Sequence, residues 1–163
     1  MIRVSRLADY GVVLACHIAG HHGHCHNAYD LAETTGLPAP TVSKLLAALA
    51  KAGILTSIRG AKGGYRLARN ADQISAADIV TAVDGPIALT VCLEEGGSGL
   101  CEVESLCPTR RGWHRVNEAI RAALASVPLS ELAPGLQMGE PLPWPPAEAT
   151  AAQPASAQTA TKL

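Results

Sequence analysis

Apolar residues recur at helical spacing through the first twenty positions: Leu7, Tyr10, Leu14 and Ile18 fall at intervals of three and four, the stripe that one face of an α-helix buries. This predicts a helix from about Ser5 to Gly20, ended by Gly20 and Gly23. A polar stretch at 21–26 follows. Asn27 then suits the N-cap of a second helix running to Thr35, and Gly36 suits its stop. Pro40 fits the first turn of a third helix, whose buried side is Val42, Leu45, Leu46 and Leu49 at i, i+3, i+4 and i+7. Thr41, Ser43, Lys44 and Lys51 lie off that stripe. Two short helices joined by a glycine-containing turn, the second with a polar and basic outer edge, form a helix-turn-helix pattern.

The pattern then changes period. Residues 54–59 (Ile-Leu-Thr-Ser-Ile-Arg) are β-branched and apolar, 60–64 (Gly-Ala-Lys-Gly-Gly) read as a turn, and Tyr65, Arg66 and Leu67 resume extended alternation. This predicts a hairpin with Arg59 and Lys62 at its tip. Following a basic recognition-type helix, such a hairpin makes a winged helix. Ser75 and Asp78 resemble a capping box opening a short helix that stops at Asp84, Gly85 and Pro86. Periodicity is lost over 89–108. A longer helix begins near Thr109, with Trp113, Val116, Ile120, Ala123 or Leu124, and Val127 in a narrow seam suited to pairing with another helix, such as that of a dimer partner. From Pro134 onward, six prolines and seven alanines in thirty residues without an apolar period read as a disordered tail. The expected fold is mainly α: a winged helix-turn-helix with a small β-hairpin wing and a long C-terminal dimerisation helix. The expected organisation is 1–88 for DNA binding, 89–108 for a cysteine-rich loop, 109–133 for the dimerisation helix and 134–163 for the tail.

Charge sharpens this picture. The 163 residues carry a formal net charge of −1, but the distribution is uneven. Between Thr34 and Ala71 there are six bases (Lys44, Lys51, Arg59, Lys62, Arg66 and Arg69) and no acid; between Asp72 and Leu106 there are seven acids and no Lys or Arg. A basic block on the helix and hairpin suggests a surface that meets an anion. Lys44, Arg59, Lys62 and Arg66 are the candidates for phosphate contacts, and Thr41 and Ser43 for base readout. No stretch approaches eighteen consecutive apolar residues, so no membrane span is expected. The N-terminal pattern lacks a cleavage-site signature, and the expected location is cytoplasmic. No nucleotide-binding glycine motif or matched acid–base pair points to an enzyme.

In such a compartment the five cysteines read as thiols or metal ligands instead of a disulfide framework. Cys92, Cys101 and Cys107 share one loop, separated by eight and then five residues. Structural zinc sites usually pair ligands two to four residues apart; wider gaps suit a larger object such as an iron–sulfur cluster. Spacing alone leaves a cluster, a zinc site, redox-active thiols and no chemistry all open. Arg110 cannot be a fourth ligand, and His114 points elsewhere if Trp113 occupies the seam, which leaves the oxygens of Glu94, Glu95, Glu102 and Glu104 nearby. That acidic surround would disfavour adding an electron to a cluster. His21, His22, His24, Cys25 and His26 form a second grouping that reads either as a solvated loop or as a zinc, nickel or copper site. Cys16, close to the apolar face of the first helix, reads as a small buried residue.

The opening Arg3-Val4-Ser5-Arg6-Leu7-Ala8-Asp9-Tyr10-Gly11, the wing Ile58-Arg59-Gly60-Ala61-Lys62-Gly63-Gly64-Tyr65-Arg66-Leu67, and Ala82-Val83-Asp84-Gly85-Pro86-Ile87 before a three-cysteine loop together resemble one family, the IscR/NsrR-type winged-helix regulators. The resemblance covers about residues 1–130. Residues 85–90 and 39–44 look most like the branch regulating SUF-type iron–sulfur assembly genes. It implies a homodimeric repressor on a pseudo-palindromic double-stranded DNA operator. It also implies an iron–sulfur cluster, 2Fe-2S or 4Fe-4S, held by Cys92, Cys101 and Cys107, and DNA contacts at Thr41, Ser43, Lys44 and Arg59. IscR-like members place a histidine where Arg110 stands here. The nitric-oxide-sensing branch uses an aspartate of the first helix, donated by the partner subunit, and Asp9 falls at that position. Asp9 is thereby the expected fourth ligand. The alternatives within the same fold are a nitric-oxide or redox-responsive repressor and a zinc or thiol-switch DNA binder.

Overall fold

The computed structural model describes residues 3–21, 24–60, 63–94, 96–97 and 99–132. Its helices are α1 (Arg6–Gly20), α2 (Ala28–Thr35), α3 (Ala39–Lys51), α4 (Ala76–Asp84), α5 (Arg110–Ala125) and α6 (Leu129–Leu132), with strands β1 (Leu55–Ile58) and β2 (Gly64–Leu67) between α3 and α4. The fold is mainly helical with a single antiparallel pair of strands, a winged helix-turn-helix.

Local chemistry accounts for the element ends. Ser5 caps α1 by accepting the Ala8 N–H, and Asn27 caps α2 by accepting that of Asp30. Gly36 ends α2 in the left-handed region at φ 69°, which only a residue without a Cβ adopts freely. Ser75 and Asp78 form a reciprocal capping box on α4. The hairpin pairs Leu55 with Leu67, Thr56 with Arg66, Ser57 with Tyr65 and Ile58 with Gly64. Because strand side chains alternate, Leu55, Tyr65 and Leu67 face the core, while Thr56 and Arg66 are exposed on the other face. His26 extends this ribbon through two backbone hydrogen bonds to Tyr65, of 2.9 and 2.8 Å. Gly64 permits that approach: a Cβ there would lie 2.5 Å from the His26 carbonyl oxygen.

The core gathers Leu14 and Ile18 of α1, Leu31 of α2, the full α3 stripe Val42, Leu45, Leu46 and Leu49, then Ile54, Leu55, Ile74, Ile79 and Leu129. Helix α1 is central and packs on α2, α3, α4, α6 and β2. Its buried surface is therefore wider than the expected stripe. Ala8, Ala15, Cys16, His17 and Ala19 are buried, whereas Leu7 is exposed, because small residues let neighbouring helices approach on sides that a hydropathy stripe leaves out.

The segment expected as one helix over 109–133 contains two. Helix α5 ends at Ala125. The chain then turns at Val127 and Pro128, where Ser75 and Pro128 form an isolated bridge. The Val127 carbonyl accepts from Ala76 N–H at 2.9 Å and Leu129 N–H donates to Ile74 at 2.7 Å. Pro128 cannot donate the hydrogen bond a continuing helix needs, and the turn delivers Leu129 into the core at 1% exposure. The expected disordered tail, 134–163, lies outside the described residues.

Candidate nucleic-acid interface and cysteine loop

Helices α2 and α3 meet across Gly36, Leu37 and Pro38, with Leu37 buried beneath the turn. With Val42, Leu45, Leu46 and Leu49 turned inward, α3 presents Ser43 and Lys44 to solvent and Thr41 partly buried at its start. Arg59 is exposed at the end of β1, and Arg66 is exposed on the outer face of β2. Lys62, the other expected wing-tip contact, lies outside the described residues. Arg69, also exposed, donates to the Gln73 carbonyl at 3.0 Å and stands 3.9 Å from Asp78 of the capping box.

The cysteine loop leads directly into α5. Cys92 sits in a 3-10 turn at Val91–Leu93, and Thr90 Oγ1 lies 3.3 Å from its sulfur. Cys107 follows a second 3-10 turn, Glu104–Leu106, just before α5. All three loop cysteines are free and partly buried. The Thr109 hydroxyl, 3.4 Å from Cys107 Sγ, holds that thiol below its usual range, aided by the backbone N–H groups of Thr109 and Arg110 and the Arg110 charge. A thiol biased toward thiolate is the form that ligates a metal or attacks a disulfide. Asp9 is exposed in the first turn of α1. Among the described residues no three His, Cys, Asp or Glu side chains form a ready-made metal cage. The donor set of three free thiols on one glycine-bearing loop nevertheless has the chemistry an iron–sulfur cluster takes.

Arg110 acts as a brace. It pairs with Glu104 Oε1 at 2.9 Å, while Glu104 Oε2 accepts the Gly99 N–H at 2.6 Å. Glu104 therefore ties Gly99, just before Cys101, to Arg110, just after Cys107. One expectation changes here. His114 lines one groove of about 640 Å³ together with Cys92, Leu93, Arg110, Arg111 and Arg115. The surround of Cys92 is consequently of mixed charge, since the arginines of α5 offset the loop's glutamates. Trp113 is 43% exposed and Val116 44%, so the first half of the apolar seam lies open to solvent among the described residues.

Sequence reading missed Asn117. It is buried at 6% exposure, accepts the Leu89 N–H through Oδ1 at 3.0 Å and donates through Nδ2 to the Ile87 carbonyl at 3.0 Å. It clamps the entrance of the cysteine loop to α5.

A recognition-type helix followed by a basic-edged wing defines a winged-helix DNA-binding regulator. Over residues 4–135 the sequence matches the Rrf2 family, described as iron-dependent transcriptional regulators, and the chain belongs to that family. It is 31% identical over 133 residues to the HTH-type transcriptional regulator CymR of Bacillus subtilis, covering 81% of this chain and 90% of that protein. To IscR of Xenorhabdus nematophila it is 35% identical over 103 residues, covering 63% of this chain and 61% of that protein; the chain thus spans less than two thirds of this IscR relative. Among solved structures it resembles CymR, the global cysteine regulator of B. subtilis (TM-score 0.63, 32% identity, 82% of this chain and 97% of that one). It also resembles T. potens IscR (TM-score 0.60, 31% identity, 85% and 93%). The relatives are transcriptional regulators, not enzymes, and so is this chain.

Proposed function

We propose that this regulator is a homodimeric repressor that binds a pseudo-palindromic operator and senses iron–sulfur cluster status through Cys92, Cys101 and Cys107, controlling SUF-type cluster-assembly genes. The observation that carries the reading is placement. The three-thiol loop lies between the winged helix and α5, and Asn117 ties its entrance to that helix. Pairing of the exposed α5 seams would present two α3 helices to successive major grooves. Thr41 and Ser43 would read base edges. Lys44, Arg59, Lys62 and Arg66 would contact phosphates, with Arg59 reaching the minor groove. Asp9, exposed on α1, would complete the ligand set from the partner subunit.

A bound cluster would supply a group that is assembled, oxidised or lost according to conditions in the cell. The chain's own contribution is to hold it: Thr109 and Arg110 keep Cys107 ready to ligate, and the Glu104–Arg110 brace limits how far the loop opens. Gain or loss of the cluster would shift α5 pairing and hence the spacing of the recognition helices, a coupling of about 1–3 kcal/mol in typical cases. No helix among the described residues is long and apolar enough to cross a membrane.

A second reading also has support. The lowered Cys107 thiol, together with relatives that include a cysteine regulator and an oxidized form of Staphylococcus aureus CymR, favours a thiol switch on the same loop. Anaerobic purification with visible absorption, iron and sulfide analysis separates the two. A brown wild type and a colourless Cys101→Ala variant support the cluster. A wild type that stays colourless after reconstitution with iron and sulfide leaves the thiol or zinc switch.

A further inference from the structure

The histidine-rich segment is used by neither the DNA-binding surface nor the cysteine loop. His17, in the last turn of α1, is 6% exposed and its Nδ1 has no hydrogen-bond partner. One turn later, the His21 ring stands with its centroid 4.5 Å from that of His17. His21 Nδ1 lies 2.9 Å from the His17 carbonyl oxygen. A carbonyl can only accept, so this contact places the proton on Nδ1 and leaves the Nε2 lone pair free. His26 closes the triangle, edge-on at 5.7 Å from His17 and 5.6 Å from His21, and its buried Nε2 is likewise without a partner.

Buried ring nitrogens without partners are costly and uncommon, and two within one three-ring cluster call for a ligand. We propose that His17, His21 and His26 form a binding site for a divalent transition metal ion, zinc in the first instance. Three imidazoles with a fourth position left open are a donor set zinc accepts. In the conformation seen, the rings pack on one another and do not form a ready cage, so binding requires them to turn their free nitrogens to a common centre. On its outer side His21 lines a cleft of about 250 Å³ together with His24, Thr56 and Arg66. The consequence follows from connectivity. His26 is hydrogen-bonded to Tyr65 of the wing and Asn27 caps α2, so a metal here would fasten the end of α1 to both the helix-turn-helix and the wing.

The test uses the full chain, stripped by chelation and titrated calorimetrically with zinc chloride alone. A variant with Cys92, Cys101 and Cys107 all changed to Ser removes the thiol loop as a competing site. In that background the expected result is one equivalent per protomer and a raised Tm. H17Q or H21A should each weaken binding by about 100-fold or more, beyond what loss of a supporting partner alone would cost. Cobalt in place of zinc should give a tetrahedral d–d spectrum that both variants abolish. Absence of zinc binding in the triple-Ser background overturns the proposal. So does binding that survives H17Q and H21A, because the other residues of the loop would then hold the ion. Should H17Q fail to fold by circular dichroism, H21A, at the partly buried helix end, decides.

Discussion

Replacing Asn117 with alanine tests whether the cysteine loop is fastened to α5. The side chain is buried and makes two 3.0 Å hydrogen bonds to backbone groups 28 and 30 residues away. Each is worth about 0.5–1.5 kcal/mol net, and a buried backbone group left without a partner costs about 1–3 kcal/mol. Ile87 and Leu89 are only partly buried, so water recovers some of that penalty. The expected loss for Asn117→Ala is about 2–3 kcal/mol. Asn117→Asp keeps the acceptor for Leu89 but sets a carboxylate oxygen against the Ile87 carbonyl and buries an unpaired charge, so at neutral pH it should lose at least as much. Urea unfolding of cluster-free protein, followed by far-UV circular dichroism with the m-value held common, measures both. The clamp also predicts faster cluster loss from Asn117→Ala than from wild type. A destabilisation below about 0.5 kcal/mol, the range of an ordinary surface substitution, would refute the reasoning, because the two hydrogen bonds would then be carrying no weight.

Lys44→Ala and Arg59→Ala should each weaken operator binding on every sequence tested and lower the slope of log K against log salt by about 1; fluorescence anisotropy across a salt series reads both. Cys16 supplies a pH dependence. Its thiol is pushed by burial from 9.0 to about 11, so between those values the folded state holds a proton that the unfolded state releases. Stability therefore falls as pH rises from about 9 to 11, by roughly 2–3 kcal/mol from this group, and Cys16→Ala should flatten that decline in denaturant titrations. Changing Val116 to Asp on the exposed α5 seam should convert a dimer to monomer in light scattering without loss of helix content; an unchanged mass would remove α5 as the pairing surface.

The helix-turn-helix was legible because its signals are local. The α3 stripe repeats at helical period, Ser75 and Asp78 are three apart, and Gly36 marks a stop by its own backbone freedom. Asn117 was illegible for the opposite reason. A polar residue in a polar helix reads as solvated, and its partners lie 28 and 30 residues earlier in the chain. His17 was hidden by an apolar neighbourhood, although its spacing of four from His21 is the cue that would have exposed it. Leu129 follows a proline, where helical periodicity no longer predicts direction, and only the bridge between Ser75 and Pro128 carries it inward. The cysteines were visible as a set, whereas the Glu104–Arg110 brace and the groove that His114 shares with Cys92 depend on the loop's path.

The central claim is that the cysteine loop controls DNA binding. Its most direct test compares operator affinity of the protein with and without the cluster, on a fragment selected by the protein from random DNA, at one salt concentration and without oxygen. The account predicts a difference of at least about tenfold, about 1.4 kcal/mol of coupling, that disappears in Cys101→Ala. Equal affinity of the loaded and cluster-free forms would contradict it.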